Sequence, residues 1–411
     1  MAVKLKIRSR VNLAMLLLMA ASSSFAEESS WNTSWDGTLY GYMNGTTLRT
    51  DSVLNPANQI AGLAKRTDTG EVRMNMKVEG DDIRLTARPI LATRNRHLSS
   101  GASQKSEGYL SQWQFRIRAA EGLNVAAGRE VLNWGAAQFR SPSSPFYFDN
   151  GRSDPMRELI GMDTVKMSWT PDMQRSVTLA RVFGTGRVAA TADEWRNTWL
   201  LKADQRGDGY ALGLVAAKAA LNTAFYGAHG QVSVDDETML YAEIGSSEQP
   251  NALQSSADAT QPFTVLTASP RRNTVLLGAA YTLPDGQSLI AEYLRDNNGF
   301  TTAQEQAYFT RAAGSPLLAG QALAMAPRLL GRDYVHLVWQ SNLMETEAYW
   351  RMMYTRSLTD AGHELGIYGE MTLNERVSGF VTAVVSNGRS NQEFSSLFSR
   401  SITAGMKVAL H

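Results

Sequence analysis

The sequence predicts an all-β fold, a transmembrane antiparallel β-barrel. Apolar and polar residues alternate with period two along many short segments, which is the pattern of strands with two different environments. Short turns alternate with long polar connections along the chain, as in barrels that span a membrane. The most apolar later stretch, 211–221, is only 11 residues long and contains Lys218, too short for a transmembrane helix.

Composition excludes several other classes of protein. The 411 residues include no cysteine, which excludes a disulfide scaffold. A mean hydropathy of −0.26 excludes a bundle of apolar membrane helices. The 40 basic and 39 acidic residues give a formal net charge of +1, so we expect no nucleic-acid partner.

The N-terminus predicts a cleaved secretory signal peptide over residues 1–26. Four basic residues within 4–10 precede the apolar stretch 11–21, and Ser24-Phe25-Ala26 forms a small-x-small cleavage site. We therefore expect residues 27–411 to form one barrel in the outer membrane of a Gram-negative envelope, surrounded by outer-membrane lipid.

Residues 71–88 show the strand pattern most clearly. The first segment places Val72, Met74, Met76 and Val78 on one face and Glu71, Arg73, Asn75 and Lys77 on the other. The same alternation continues after the turn at 79–82, which predicts a hairpin with one apolar and one charged face.

Applied along the chain, this reasoning predicts 18 strands, an even number as bacterial single-chain barrels require, with 16 as the alternative. The predicted strands are 35–48, 71–78, 82–91, 108–118, 122–131, 163–170, 174–183, 195–204, 209–218, 222–233, 237–245, 272–282, 287–295, 332–341, 346–357, 363–373, 376–386 and 397–410. The long connections are 49–69, 93–107, 132–161, 247–270 and 297–330, which we expect on the extracellular side.

The last predicted strand resembles the C-terminal sorting strand of outer-membrane barrels. Its apolar face consists of Ile402, Ala404, Met406, Val408 and Leu410. His411 departs from the resemblance, since those barrels usually end in Phe.

Charged residues on the opposite strand faces would line the lumen. Basic residues lie on neighbouring strands in the first third of the chain: Arg73, Lys77, Arg84, Arg88, Arg116, Arg118 and Lys166. Acidic residues lie on strands across the barrel: Glu243, Glu292, Glu347, Glu364 and Glu370. Either these charges pair across the interior and plug it, or the basic wall forms a track for an anionic solute.

Two long connections carry unusual features. The loop 133–152 has two prolines and a candidate set of constriction residues: Phe139, Arg140, Phe146, Tyr147, Phe148 and Arg152. The loop would either fold into the mouth as a constriction or pack its aromatic rings onto the rim. Residues 302–330, rich in Ala and Leu, predict a short amphipathic helix that caps or plugs the mouth.

The segment 127–135, Ala-Gly-Arg-Glu-Val-Leu-Asn-Trp-Gly, resembles the Gly-Arg-Gln-type segment of alginate-export-type outer-membrane barrels. The resemblance implies a monomeric barrel of 18 strands whose electropositive lumen passes an anionic exopolysaccharide outward, and it adds Arg129 to the basic track. Glu130 stands where that family commonly has Gln. Arg129 shares the parity of the apolar face, so it would lie at the rim or follow a bulge at Gly128.

Motifs for enzymatic chemistry are missing from the sequence. The five histidines show no metal-ligand spacing, and there is no Gly-x-Ser-x-Gly elbow and no phosphate loop. We therefore expect no enzyme, metal or cofactor, although His229 or His336 would be candidates if residues distant in sequence built a catalytic site.

Together these patterns predict a passive outer-membrane channel for an anionic solute, foremost for export of an acidic exopolysaccharide. Its expected partners are an anionic oligo- or polysaccharide and periplasmic export components. The alternatives are a substrate-specific uptake porin and a non-conducting barrel that binds a surface polymer or acts as an adhesin.

Overall fold

The computed structural model describes residues 31–184, 196–220, 223–248, 252–267, 270–342, 344 and 347–410. These residues form an antiparallel sheet of 18 strands. The sheet closes into a barrel because the first strand pairs with both the second and the last strand in the chain. The predicted fold class and strand number are confirmed, whereas the predicted signal peptide lies outside the described residues.

Each barrel strand pairs with the barrel strands before and after it in the chain. The barrel strands are β1 (Asn32–Leu48), β2 (Arg66–Glu79), β3 (Ile83–Leu98), β4 (Gly101–Ala120), β5 (Leu123–Glu130), β6 (Met162–Trp169), β7 (Arg175–Gly184), β8 (Thr198–Gly207), β9 (Tyr210–Lys218), β10 (Ala224–Ser233), β11 (Thr238–Ser247), β14 (Arg272–Thr282), β15 (Ser288–Asp296), β16 (Asp333–Gln340), β17 (Ala348–Ser357), β18 (His363–Asn374), β19 (Val377–Asn387) and β20 (Phe398–Leu410). Outside the barrel sheet lie a hairpin, β12 (Ala252–Gln254) and β13 (Thr264–Leu266), and two helices, α1 (Thr302–Ala312) and α2 (Pro316–Met325).

Alternate residues of each strand face outward and inward. In β11, Leu240 and Ile244 are 43% and 42% exposed, whereas Tyr241 and Glu243 between them are 5% and 1% exposed. The same alternation around the barrel leaves a large apolar outer surface. In water such a surface would promote aggregation, whereas in a bilayer it is the expected contact with lipid. Among the described residues, no helix has the length and hydropathy that a membrane span requires.

The last strand follows the predicted parity. Ile402 and Met406 are exposed on the outer surface. Lys407 points inward and forms an ion pair with Glu370.

One predicted connection is wrong. Residues 93–107 are part of a long hairpin, because β3 continues to Leu98 and β4 begins at Gly101. Polar side chains pair across these strands, as in the hydrogen bond of 3.0 Å between the Thr93 and Ser106 hydroxyls. This hairpin extends beyond the apolar outer surface of the barrel, so its strands need no apolar face. The alternation of apolar and polar residues that predicts a strand is therefore lost there.

Segments of four other connections form a shared structure at one end of the barrel, which we call the cap. Its apolar core joins the connections after β1, β11, β15 and β19, and its buried members are Leu54, Leu253, Phe263, Phe300, Tyr308, Phe309, Ala312, Ala319, Ala322 and Leu330. Strands β1 and β11 lie on nearly opposite sides of the barrel, because nine strands separate them in one direction around the barrel and seven in the other. Contact between their loops therefore requires the cap to reach across the mouth.

The predicted helix of the cap is two helices. The Thr301 side chain accepts from the Gln304 backbone N–H in a capping box that begins α1. Ser315 caps α2 and Pro316 occupies its first turn, a residue that begins a helix well but cannot continue one. The break at 313–315 folds α2 back against α1.

Candidate functional site

The connection between β5 and β6, residues 131–161, crosses the lumen, and we call it the inserted loop. Backbone N–H groups of Gln138 and Phe139 donate to the carboxylate of Glu292 at 2.6 and 2.8 Å. Glu292 lies on β15, on the wall opposite the strands from which the loop departs. The loop thus lies inside the barrel, in the placement expected of a constriction.

Glu243 on β11 is the second tether of the inserted loop. Its carboxylate accepts from the Ala137 N–H at 3.0 Å and from the Ser141 and Ser143 hydroxyls at 2.6 and 2.7 Å. The loop approaches so closely that a Cβ at Gly135, which has φ +80°, would lie 2.0 Å from the Glu243 carboxylate. With the carboxylate 1% exposed, these donors replace the water that burial removes.

The predicted constriction residues mostly hold the inserted loop in place. Phe139 is buried against the opposite wall, where its ring stacks on His336 with centroids 5.1 Å apart. Arg152 donates to the Gly135 and Ala137 carbonyls, both at 2.9 Å. The guanidinium of Arg140 lies 4.4 Å over the Phe139 ring.

The aromatic cluster of the loop has separate contacts. The Tyr147 hydroxyl donates to the Ile160 carbonyl at 2.7 Å. Phe146 packs against Leu132 and the buried residues of β7 and β8, and Phe148 packs against the core around Phe139. These rings therefore fix the shape of the loop.

Glu158 connects the inserted loop to the basic wall. Its carboxylate lies 3.5 Å from Arg73 and 3.1 Å from Arg88 and accepts from the Ser111 hydroxyl at 2.8 Å. Arg73 also pairs with Glu71 and stacks over the Tyr40 ring at 4.4 Å. The loop is thus held by both walls of the lumen.

Most other cations of the predicted track pair with local carboxylates. Lys166 pairs with Glu130 on the neighbouring strand. Arg118 is exposed and lies 4.0 Å from Asp82. Among the described residues the track cations pair within their own sector and with the inserted loop, so the field across the lumen is weaker than a simple count of charges predicts.

An excess of positive charge lies at the short-turn end of β2–β4, in what we call the Arg84 cluster: Lys77, Arg84 and Arg116 near the carboxylate of Glu79. Lys77 pairs with Glu79, Arg84 lies 3.8 Å from it, and Arg116 contributes to its electrostatic environment. Arg84 and Arg116 stand directly opposite each other in the ladder, an arrangement that is destabilising for like charges. About a third of the Arg84 side chain is exposed, at 36%.

The acidic wall differs from the prediction. Glu243 and Glu292 are occupied by the inserted loop and present no free acidic surface. Glu347 lies exposed in the turn before β17, because that strand begins one residue later, at Ala348. Glu364 and Glu370 do face inward, where Glu364 accepts from the Ser386 hydroxyl at 3.2 Å and Glu370 pairs with Lys407.

Arg129 does not lie on the track. It shares the outward parity of Val125, which is 39% exposed, and its guanidinium binds both oxygens of Asp163 at 2.8 and 3.2 Å. The irregular register of β4 and β5 falls between Arg118 and Ala120, so no bulge at Gly128 turns Arg129 inward. The interpretation that placed it at the rim is the correct one.

Sequence reasoning missed an aromatic and cationic strip on β18–β20. Lys407 lies 5.5 Å from the Phe380 ring centroid and 5.7 Å from that of Tyr368, and it donates to the Tyr368 hydroxyl at 3.0 Å. The available signal was Lys407 itself, one of two charged residues in the sorting strand, the other being Arg400. No group of three or more potential metal-ligating residues is arranged for a metal in the part of the chain that the structure describes.

No protein-family model matches the chain. No curated protein matches it either. Its fold is similar to that of solved outer-membrane barrels of Pseudomonas aeruginosa. OccK5 (OpdH) has a TM-score of 0.57 at 8% identity and covers 92% of this chain and 99% of its own. OccK11 (OpdR) has a TM-score of 0.56 at 10% identity, over 93% and 98%.

OprD, from the same organism, has a TM-score of 0.53 at 10% identity, over 94% of this chain and 97% of its own. At such low identity these likenesses establish the fold, a porin-type closed barrel of 18 strands. The resemblance of residues 127–135 to alginate-export-type barrels stays a prediction.

Proposed function

We propose that the protein is an outer-membrane channel that passes a small anionic solute. The observation that carries this proposal is the Arg84 cluster at one end of the lumen, where Lys77 and Arg84 share the Glu79 carboxylate and Arg116 stands directly opposite Arg84. Two arginines directly opposed in a ladder lower stability. A bound or passing anion would offset that repulsion.

The surroundings of the cluster favour this function. Low-dielectric barrel walls focus the field of partly exposed charges and raise the local concentration of anions. The outward apolar surface suits a lipid bilayer, which supports an outer-membrane location.

The lumen favours a small solute over a polymer. The inserted loop is bound at Glu243, Glu292 and Glu158, and the cap reaches across the mouth. An exopolysaccharide would have to displace both. We therefore rank an uptake channel above export of an acidic exopolysaccharide, and periplasmic export components belong to the second hypothesis only.

Ion selectivity in planar bilayers tests the proposal. The full chain should show a reversal potential of anion-preferring sign, and Arg84→Gln with Arg116→Gln should shift that potential toward zero. Lys166→Gln with Glu130→Gln is the matched control, because it removes a cation together with its paired carboxylate and should change the potential less.

Three other outcomes oppose parts of the proposal. Cation preference unaltered by the double substitution would remove the anion assignment. Absence of conductance under every condition would favour the non-conducting, polymer-binding alternative. Passage of an acidic polysaccharide as readily as of its monomer would restore the export hypothesis.

A further inference from the structure

The cap contains a carboxyl group without a hydrogen-bond donor. Glu305 on α1 is 2% exposed, and neither of its carboxyl oxygens accepts a hydrogen bond. Its electrostatic neighbours are Asp360, in the connection between β17 and β18, and Glu393, in the connection between β19 and β20. Three carboxyl groups from three separate segments therefore meet beneath α1.

The donors near this cluster serve the other two carboxylates. Asp360 accepts from the backbone N–H groups of Gly362 and Glu393 at 2.8 and 2.7 Å. Glu393 accepts from the Leu330 N–H at 2.9 Å and from the Tyr334 hydroxyl. Because bound donors stabilise the ionised form, the proton of the cluster belongs on Glu305, which then donates to Asp360.

Burial, with the charges of Asp360 and Glu393, raises the pKa of Glu305 to about 10. Burial also raises the pKa of Glu393 to about 7. Two hydroxyls also lie near the cluster: that of Tyr334 at the start of β16, which donates to Glu393, and that of Tyr308 on α1.

The nearest cation on α1 is engaged elsewhere. Arg311 donates to the Ser255 hydroxyl at 2.6 Å and to the Asp258 carbonyl at 2.8 Å. It therefore anchors α1 to the β12–β13 connection and does not neutralise the cluster.

We propose that protonated Glu305 is a latch that holds α1 down across the mouth of the barrel, and that loss of its proton releases the cap. The Thr302 hydroxyl, which donates to the Thr359 carbonyl at 2.8 Å, marks the same contact between α1 and the Asp360 segment. Ionised Glu305 would face two fixed negative charges while buried and without a donor from the protein, so α1 would lift to hydrate it. The inference rests on the proposed channel function.

The sign of the pH dependence follows from linkage. In an open cap, Glu305 would be hydrated and would have an ordinary acidic pKa, so the closed state binds the proton more tightly. Closure is then favoured at low pH and is lost as pH rises toward the pKa of the closed state, about 10. For one proton the ratio of open to closed channels rises by about tenfold per pH unit within this window.

Single-channel recording of the full chain from about pH 6 to about pH 10.5 tests the latch, because the ratio of open to closed channels should rise about tenfold per pH unit. Open probability of the wild type should rise with pH. Glu305→Gln keeps the shape and the hydrogen-bond donor but cannot ionise, so the rise above pH 8 should disappear and the cap should stay closed. We assign any change in the open probability of Glu305→Gln near pH 7 to titration of Glu393.

Glu347→Gln is the control, because Glu347 is an exposed carboxylate in a turn at the opposite end of the barrel, and it should gate like the wild type. Equal alkaline opening in Glu305→Gln and wild type would overturn the latch, as would a wild type whose conductance is independent of pH. Heat-modifiable migration of each variant in gels verifies that the barrel is folded. A folded wild type with no conductance at any pH would instead refute the channel function on which the latch rests.

Discussion

Carboxylates on the two walls of the lumen bind different kinds of partner. On the β2–β6 wall, Glu79 and Glu130 pair with lysine or arginine side chains of their own or neighbouring strands. On the opposite wall, Glu243 and Glu292 accept from backbone N–H groups and hydroxyls of the inserted loop. The first set of carboxylates neutralises cations of the lumen wall, whereas the second set holds the backbone of the inserted loop in place.

This difference shows why the number of charged residues in the lumen does not by itself predict ion selectivity. A carboxylate on the first wall cancels a cation and reduces the field that an ion meets. A carboxylate on the second wall is covered by the inserted loop, at 1% exposure for Glu243 and 3% for Glu292, so it presents little surface to a passing ion. The selectivity of the lumen then depends on the few cations whose charge is incompletely balanced.

Removal of the two loop tethers should have the largest effect. Hydrogen bonds to a charged group contribute about 1.5–3 kcal/mol each, so Glu243→Ala with Glu292→Ala should release the inserted loop from the wall. We expect severalfold higher single-channel conductance and a lower thermal unfolding temperature. The matched variant on the other wall, Glu130→Ala, should leave conductance close to wild type.

An unchanged conductance in the double variant would show that the loop is held by its apolar contacts, above all Phe139 stacked on His336. The conclusion that carboxylates of the second wall hold the inserted loop would then be wrong.

A smaller effect is expected at Glu158, the one loop carboxylate that faces the basic wall. Glu158→Gln would leave Arg73 and Arg88 short of a counter-charge, so anion preference should increase, and more so at low ionic strength where screening is weak. Reversal potentials at two salt concentrations measure this change. A decrease in anion preference would mean that Glu158 positions the arginines more than it neutralises them.

The barrel was predictable from sequence because its signal is local. A strand between lipid and lumen must alternate every second residue, so 272–282 was predicted with the bounds that the structure shows. The signal failed at 93–107, where the strands leave the apolar surface and polar cross-strand pairs such as Arg94 and Glu107 maintain the ladder.

The position of the inserted loop was not predictable in the same way. Its tethers join residues 106 and 154 positions apart, and the donors are backbone N–H groups, which every residue but proline carries. No side-chain pattern distinguishes 137–139 as the segment that binds a carboxylate. Glu243 and Glu292 were identified as inward-facing, but their partners required the fold.

The smallest effect is expected at Arg129, which the resemblance placed on the basic track and the structure places on the outer rim. Its ion pair with Asp163 lies near the surface, where such pairs contribute less than about 1 kcal/mol, so Arg129→Gln should lower stability only slightly. Since the barrel wall separates Arg129 from the lumen, the reversal potential should match wild type. Arg116→Gln, on the neighbouring strand β4 but facing inward, should shift it. A shift in Arg129→Gln as large as that in Arg116→Gln would show that ions sense the rim charge, and the basic wall would then have to be extended to the outer edge of β5.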